Sequence, residues 1–207
     1  MRSWQMTELE DHDYGLELES SAMKIAVYSG SFNPLHIGHQ AIMEYLTREG
    51  EFDWVYLVVS PQSPFKGAEN VLTGEQRYEA AVEAVKRHPE IHVWVDNIEL
   101  GMEPPHYTIR TLDALKEREP ENEFTLVIGA DNLESFPRWR DYGQILKEYG
   151  VVVFPRKGYH RGHLKARLMR ECPDYRIDLL KAPRIDISST EIREGIAAGK
   201  DMDKFLM

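Results

Sequence analysis

The feature that most restricts the fold is an alternation of short apolar runs with segments of helical periodicity. The apolar runs lie at residues 24–28, 53–60, 91–95, 124–128 and 151–154. Helical patterns lie between them, near residues 35–46, 74–88, 107–119 and 142–149. This alternation, with strands that are apolar on both faces, is typical of a parallel sheet covered by helices on each side. We therefore predict an α/β fold built on a doubly wound parallel sheet.

The length and composition fit one domain with a short appendage. A chain of 207 residues can bury one sizeable core, since domains commonly have roughly 100–200 residues. Residues 1–22 contain six acidic side chains and one arginine and show no sustained periodicity. We predict a flexible acidic N-terminal extension there and a folded domain at residues 23–207.

The composition also excludes several classes of protein. No apolar run approaches the ~20 residues of a spanning helix, and the first residues lack the apolar stretch of a signal peptide, so we expect a cytoplasmic protein with no membrane partner. The formal net charge of −10 disfavours nucleic acid as a partner, because that binding depends on a basic surface. The single cysteine, Cys172, can form neither an internal disulfide nor a thiolate metal site.

Turn residues and two histidines follow the first apolar run. The segment reads Gly30-Ser31-Phe32-Asn33-Pro34-Leu35-His36-Ile37-Gly38-His39. Small residues allow backbone amides to approach an anion, and the start of the next helix adds N–H groups and a positive dipole end. His36 and His39 are spaced to share one face of the first helical turn. Imidazoles there can donate hydrogen bonds to phosphate oxygens, so the segment predicts a phosphate site.

Two other interpretations of these histidines exist. A single histidine at a helix start often only caps and packs the helix, although the complete loop makes that interpretation less favourable here. A zinc site would need another spacing, such as His-Glu-x-x-His, or cysteines. A second pair, His160 and His163, has the same spacing without the preceding strand and loop. We predict that this second pair lies on a solvated helix or loop.

A second polar segment lies near the C-terminus and reads Ile187-Ser188-Ser189-Thr190-Glu191-Ile192-Arg193. Ser188 and Glu191 have the spacing of a capping box, which predicts a helix that starts here. Arg193 then lies near the first turn, where a cation is disfavoured unless an anion binds nearby. A triphosphate tail is a natural partner for this segment.

Together the two segments resemble the nucleotidyltransferase superfamily that carries a His-x-Gly-His loop early and an Ile-Ser-Ser-Thr-x-Ile-Arg element late. Residues 61–66, 107–112 and 129–132, with Phe136 and Trp139 downstream, are similar to bacterial nicotinate-nucleotide adenylyltransferase. The resemblance extends from about Lys24 to Arg193. It implies a Rossmann-like nucleotidyltransferase domain that joins the adenylyl group of ATP to nicotinate mononucleotide and releases pyrophosphate, within NAD biosynthesis.

The resemblance also implies roles for individual residues. His36 and His39 would be catalytic and hold the phosphates, with His39 the more important. The residues implied in ATP binding are Gly30, Ser31, Phe32, Gly129, Asp131, Ser188, Ser189 and Arg193. The residues implied in binding the second substrate are Lys66, Thr108, Trp139 and Arg156, where Trp139 would stack on the pyridine and the two cations would contact phosphate. Mg²⁺ would arrive with ATP and keep several waters, without a protein metal site.

Two positions depart from the family pattern. Asn33 stands where aspartate is frequent and keeps the same turn-forming tendency, and Arg110 stands where aspartate is common. The sequence leaves open other acceptors, including nicotinamide mononucleotide and phosphopantetheine, and a nucleotide-binding regulator without turnover. It also leaves open whether the chain forms a homo-oligomer.

Overall fold

The computed structural model describes residues 22–61, 72–184 and 186–207. Lys66 and the predicted N-terminal extension, apart from Ala22, lie outside the described residues. Within the described ranges, no helix is both long enough and apolar enough to cross a bilayer.

The centre of the fold is a six-stranded sheet with parallel pairing throughout. The strands are β1 (Lys24–Gly30), β2 (Trp54–Val59), β3 (Val93–Asp96), β4 (Glu123–Gly129), β5 (Val151–Phe154) and β6 (Ile177–Leu179). Their order across the sheet is β3-β2-β1-β4-β5-β6. The order therefore reverses between β1 and β4, and the carboxyl edge at such a reversal is where open parallel sheets bind ligands.

Helices cover both faces of the sheet. They are α1 (Ile37–Arg48), α2 (Gly74–Lys86), α3 (Thr108–Arg118), α4 (Ala130–Ser135), α5 (Tyr142–Gln144), α6 (Arg161–Glu171) and α7 (Ser189–Ala197). Successive strand residues point to opposite faces, so Ile25 and Val27 enter one apolar core and Ala26 enters the other. The first core contains residues of α3 and α6, and the second contains residues of α1 and α2. The predicted doubly wound sheet with helices on both faces is confirmed.

Among the differences from the predictions, three have a clear physical reason. The strand predicted at residues 91–95 is Val93–Asp96, because its pairing with β2 begins at Val93. The strand β6 was not predicted, since it has only three residues and the middle one, Asp178, is exposed. The helix predicted at residues 142–149 begins as α5 but continues as a π-helical turn, Ile145–Tyr149. Apolar spacing cannot separate a single π turn from an α-helix.

Candidate active site

The carboxyl ends of three neighbouring strands bring several of the predicted residues together. The histidine loop follows β1, Asp131 comes two residues after the end of β4, and Arg156 comes two residues after the end of β5. β1 pairs with β4 and β4 pairs with β5, all in parallel. The segments that follow these strands therefore meet at one edge of the sheet, where the strand order reverses.

A cleft of about 520 Å³ lies at this edge. It is lined by Asp131, Arg156, Lys157, Tyr159, Arg184, Asp186, Ile187, Ser188 and Glu191. A narrower pocket shares Arg156 and Arg184 with this cleft and is also lined by His36 and His39. The structure therefore places the histidine loop and the C-terminal polar segment on adjoining pockets that share lining residues.

The two histidines have a defined arrangement at the start of α1. His36 is the N-cap residue, and its Nδ1 accepts a hydrogen bond from the Gly38 N–H at 3.1 Å. The Nδ1 of His39 accepts from the His36 N–H at 3.3 Å. The rings stack with centroids 3.7 Å apart and 27° between their planes. A neutral imidazole whose Nδ1 accepts carries its proton on Nε2, so each ring retains an Nε2–H donor.

The surroundings keep both imidazoles neutral. Burial lowers the pKa of His36 to about 4, and the positive charge of Arg156 acts in the same direction. Burial also lowers the pKa of His39 well below its usual value, with further contributions from His36 and Arg156. At pH 7 the pair therefore offers two uncharged N–H donors rather than two cations.

The glycine between the histidines is closely packed against the first imidazole. A Cβ atom at Gly38 would lie 3.0 Å from ring atoms of His36. The imidazole covers this position because its Nδ1 has to reach the Gly38 N–H. The His-x-Gly-His spacing therefore follows from the geometry of the helix start.

Phe32 lies behind the histidines in the core. Its ring is 5.2 Å from that of His39 at 84°, and 5.4 Å from that of Tyr28 at 78°. A Cβ atom at Gly30 would lie 3.1 Å from the Phe32 ring, which explains the glycine at the end of β1. The backbone of Phe32 has a φ of 43°, a left-handed conformation that residues other than glycine rarely adopt. The loop backbone is thus strained at this residue.

Helix α7 contacts the histidine loop through its first residues. The Ser189 hydroxyl donates to the Pro34 carbonyl at 3.0 Å. Arg193 donates through Nη1 to the Asn33 carbonyl at 2.6 Å and through Nη2 to the Thr190 hydroxyl at 3.1 Å. Two residues predicted to hold the phosphate tail are therefore brought to the loop, and they bind its backbone carbonyls.

Ser188 caps α7 as predicted. Its Oγ accepts from the Glu191 N–H at 3.2 Å. The reciprocal bond of a capping box is different from the prediction, because the Glu191 carboxylate accepts from the Ser188 hydroxyl at 2.6 Å rather than from the Ser188 backbone. A hydroxyl can accept and donate at the same time, so one oxygen satisfies both groups.

Asp131 folds back over the end of β4. A Cβ atom at Gly129 would lie 2.3 Å from Asp131 Oδ1 and 3.2 Å from the Phe154 ring. Within the described residues, Oδ1 is buried without a hydrogen-bond partner, but it lies 3.6 Å from the Arg156 Nε. The Arg156 guanidinium lies 4.9 Å from the centroid of the Phe154 ring. Gly129, Asp131 and Arg156 therefore form one cluster at the edge of the cleft.

The residues predicted for the pyridine side lie on adjacent segments. Thr108 is the first residue of α3, and among the described residues no side chain caps this helix start. Trp139 follows a short 3₁₀ turn, and its ring lies 4.8 Å from that of Phe136, which is fully buried. The Arg140 guanidinium lies 5.7 Å from the centroid of the Tyr107 ring. This contact holds the Trp139 segment beside the start of α3.

Arg110, the departure from the family pattern, has a local structural role. Its Nη1 donates to the carbonyls of Glu103 at 3.0 Å and Pro105 at 2.7 Å. The side chain therefore fixes the turn that precedes α3.

Sequence reasoning missed two buried charged residues near the site. Glu99 is 4% exposed and accepts from the hydroxyls of Thr111 at 2.9 Å and Ser29 at 3.3 Å, so it connects α3 to the end of β1. It lies in a four-residue 3₁₀ helix, where no periodic pattern signals burial. Arg77 is 1% exposed and donates to a carbonyl of the histidine loop.

A signal for Arg77 was present in the sequence. The buried residues of α2 are Gly74, Arg77, Ala81 and Ala84. Their spacing of three or four residues marks one face of a helix. An arginine in that series indicates a buried guanidinium with partners of its own.

The second histidine pair lies on a different element, and the separate pocket that it lines shares Tyr159 with the cleft. His160 and His163 are both exposed at the start of α6, with ring centroids 5.9 Å apart. The prediction of a solvated helix or loop is confirmed.

Comparison with known proteins supports one family. A model of the cytidylyltransferase-like family matches residues 27–195. The chain is 40% identical over 184 residues to a probable nicotinate-nucleotide adenylyltransferase of Porphyromonas gingivalis, and the match covers 89% of each protein. It is 38% identical over 183 residues to the protein of the same name from Bacteroides fragilis, covering 88% of this chain and 87% of that one.

A solved structure has the same fold. The nicotinic acid mononucleotide adenylyltransferase of Plasmodium falciparum, complexed with NaAD, matches with a TM-score of 0.69 and 17% identity, covering 89% of this chain and 90% of that chain. At that identity the likeness concerns the fold alone. The family model and the sequence relatives together establish that the chain belongs to the cytidylyltransferase-like family, among the bacterial nicotinate-nucleotide adenylyltransferases.

Proposed function

We propose that the chain transfers the adenylyl group of ATP to the phosphate of nicotinate mononucleotide, forming nicotinate adenine dinucleotide and pyrophosphate in NAD biosynthesis. The observation that carries this proposal is the stacked pair of His36 and His39 beside the cleft at the strand reversal. The sequence relatives, which bear the name of this activity, support the choice of reaction.

In the proposed reaction, a phosphate oxygen of the mononucleotide attacks the α-phosphorus of ATP in line. The new P–O bond forms as the bond to the bridging oxygen breaks, and its electron pair leaves with pyrophosphate. No covalent enzyme intermediate is required. Positioned donors that stabilise charge on the phosphate oxygens supply most of the catalysis in such transfers.

The histidines act in this scheme as hydrogen-bond donors. Their Nδ1 atoms are occupied by backbone N–H groups of the helix start, which leaves the Nε2–H groups of His36 and His39 to donate to the phosphates. Because their pKa values are low, the imidazoles donate without passing a proton to the leaving group. The start of α1 adds its dipole to the same place.

Cationic side chains are available to the triphosphate in the cleft of this acidic protein. Arg156, Lys157 and Arg184 line the cleft beside three carboxylates, Asp131, Asp186 and Glu191, so the bound phosphates would compete with these carboxylates for the cations. The backbone of residues 30–32 lies against the phosphates, Gly129 and Asp131 meet the adenosine, and Ser188, Ser189 and Arg193 lie along the phosphate tail.

The pyridine binds between the start of α3 and the Trp139 ring. The uncapped backbone amides near Thr108 donate to the nicotinate carboxylate, which the positive end of the helix dipole also favours. Phe136 supports the indole from the core side, so the ring offers its other face for stacking. Lys66 stays a predicted phosphate contact outside the described residues.

The donor set of the cleft suits Mg²⁺ that arrives on ATP. Asp131 lies against Arg156, Asp186 pairs with Arg184 at 3.0 Å, and Glu191 accepts from Ser188. Asp186 and Glu191 are engaged by protein groups, whereas Asp131 Oδ1 has no hydrogen-bond partner among the described residues; the Mg²⁺ would be held by phosphate oxygens and its own waters. The ion neutralises charge on the triphosphate when bound.

The decisive experiment uses the purified chain with ATP and Mg²⁺. Nicotinate mononucleotide, nicotinamide mononucleotide and phosphopantetheine are supplied as separate acceptors, and dinucleotide or dephospho-coenzyme A formation is measured by chromatography beside pyrophosphate release. We expect the fastest turnover with nicotinate mononucleotide. If phosphopantetheine is the only acceptor that supports turnover, it replaces nicotinate mononucleotide as the proposed substrate. Nucleotide binding without pyrophosphate release would identify a non-catalytic regulator.

A further inference from the structure

A fully buried arginine lies behind the loop that joins β1 to α1. Arg77, in the first part of α2, has 1% of its surface exposed. Its guanidinium donates to the backbone carbonyls of Ser31 at 2.6 Å, Pro61 at 3.2 Å and Leu72 at 3.3 Å. These carbonyls belong to the loop after β1, the loop after β2 and the residues before α2. One side chain therefore ties together three separate segments of the chain.

The partners of this buried charge are unusual. In the described part of the chain, the hydrogen bonds of Arg77 all go to backbone carbonyls and none to a carboxylate. A buried cation is costly unless hydrogen bonds compensate for lost hydration. Even a buried ion pair can often be replaced by apolar side chains of similar volume without loss of stability. A buried guanidinium with only backbone partners therefore indicates a geometric task, for which its planar, multidentate donors are suited.

The contact with Ser31 fixes the direction of a peptide group. The Ser31 carbonyl and the Phe32 N–H belong to one planar trans peptide and point in opposite directions. A carbonyl held towards Arg77 therefore directs the Phe32 N–H away from α2. Phe32 has a φ of 43°, a conformation that persists only where surrounding contacts impose it. Arg193 holds the Asn33 carbonyl from α7, so the loop is fastened from two helices.

We propose that Arg77 is a positioning residue, whose buried guanidinium orients the Ser31–Phe32 peptide and thereby sets the loop that receives the ATP phosphates. It acts through the backbone and does not touch the substrates. Lysine cannot replace it, because one ammonium group lacks the fork that reaches three carbonyls. The expected change in the kinetics with ATP rests on the proposed function. The expected change in amide protection of the loop does not.

The test compares Arg77→Lys and Arg77→Met with Arg167→Met, a matched change at an exposed arginine on α6. Steady-state kinetics give kcat and the KM for each substrate, and hydrogen exchange reports amide protection at residues 28–36. We expect Arg77→Lys to raise the KM for ATP about tenfold and to lower kcat, with little change in the KM for nicotinate mononucleotide. Exchange should become faster at residues 28–36 and stay unchanged in β4 and β5.

Chemical rescue provides a second measurement. In Arg77→Ala, millimolar guanidinium should restore part of the lost turnover, while urea, which is similar in shape but uncharged, should not. Wild-type kinetics and exchange in Arg77→Lys would overturn the proposal. A second outcome would also overturn it: equal increases in the KM for ATP and the KM for nicotinate mononucleotide, faster exchange throughout the domain, and no rescue by guanidinium. Arg77 would then contribute only to folding. If the wild-type chain has no transferase activity, faster exchange confined to the loop still supports the positioning role.

Discussion

The imidazoles of His36 and His39 stack 3.7 Å apart, and the Nδ1 of each accepts a backbone N–H at the start of α1. Helix capping therefore uses one nitrogen of each ring and leaves the opposite nitrogen for the proposed ligand. Capping determines the tautomer, and the tautomer leaves an Nε2–H donor on each ring. The interpretation of these residues as caps and their interpretation as catalytic donors are thus compatible.

Replacement of His39 tests the proposed role of these imidazoles as catalytic hydrogen-bond donors. His39→Ala removes one donor to charge that develops during transfer, and loss of such a donor typically lowers kcat by about 10²–10³-fold. The KM for nicotinate mononucleotide should change little. Steady-state kinetics of the purified variant, with circular dichroism to check folding, measure both effects.

The control for this variant is His163→Ala. His163 has the same spacing from His160 but lies exposed on α6, so its loss should leave kcat near the wild-type value. A correctly folded His39→Ala protein with wild-type turnover would remove the histidine from the mechanism.

The pH dependence of stability tests the role of His36 as a neutral N-cap residue. Burial lowers the pKa of His36 from 6.5 to about 4 in the folded protein, so the unfolded chain binds this proton more readily. The stability contributed by the neutral form is complete above about pH 6.5 and is lost as pH falls towards 4. At pH 5 the loss for this residue is about 2 kcal/mol, from 1.36 kcal/mol per unit of pKa difference.

His36→Asn isolates this contribution, because asparagine is a good N-cap residue that does not titrate. Urea unfolding at pH 7 and pH 5 should show a smaller loss of stability for the variant than for the wild type. Identical losses in the two proteins would mean that His36 is not kept neutral by folding.

The sequence alone was sufficient to predict features that depend on residues close together in the chain. The long apolar strands were predictable because each contains enough residues to display burial on both faces. The histidine loop was predictable because its glycines, turn residues and imidazoles are contiguous. The short strand β6 was not, since its three residues contain an exposed aspartate.

Contacts between remote segments could not be predicted in the same way. The hydrogen bond from Arg193 to the Asn33 carbonyl joins residues 160 positions apart, and it exists because α7 packs against the loop after β1. The sequence predicted Arg193 as a phosphate contact and gave no indication of its contact with the loop backbone. Every residue has a backbone carbonyl, so the sequence does not show which carbonyls accept from Arg77 and Arg193. These partners are visible only in the folded chain.

Gly129→Ala tests the cluster at the end of β4. The new Cβ would lie 2.3 Å from Asp131 Oδ1, so Asp131 must move away from its position beside Arg156. The Asp131 carboxylate is the end of a flexible, partly exposed side chain, so its displacement should cost less than the roughly 1–3 kcal/mol of core overpacking, and the KM for ATP should rise because the displaced carboxylate lies at the cleft. Thermal unfolding and ATP kinetics measure the two effects.

Gly162→Ala is the matched change, because a Cβ there meets nothing within 4 Å. It should leave the KM for ATP unchanged and leave stability equal or slightly higher, since alanine favours the helix. Wild-type affinity for ATP in Gly129→Ala would place the nucleotide away from this cluster.

Substrate choice provides the last prediction: kcat/KM should be higher for nicotinate mononucleotide than for nicotinamide mononucleotide. The uncapped amides at the start of α3 can donate to a carboxylate, whereas the NH₂ of the amide would face them unpaired. Trp139→Ala removes the stacking face and should raise the KM for the preferred mononucleotide about tenfold, while Trp139→Phe should retain most of the affinity.

The indole prediction has its control in Trp94→Ala, since Trp94 is 58% exposed on the edge strand β3 and lies on a different segment from the proposed pyridine site. Its loss should change neither the KM for nicotinate mononucleotide nor the KM for nicotinamide mononucleotide. Competition kinetics with both mononucleotides in one reaction measure the preference directly. Equal kcat/KM values would contradict the role of the α3 amides but leave adenylyl transfer intact, because the histidines act on the phosphates and not on the pyridine. Wild-type kinetics in Trp139→Ala would instead place the pyridine on another part of the sheet's carboxyl edge.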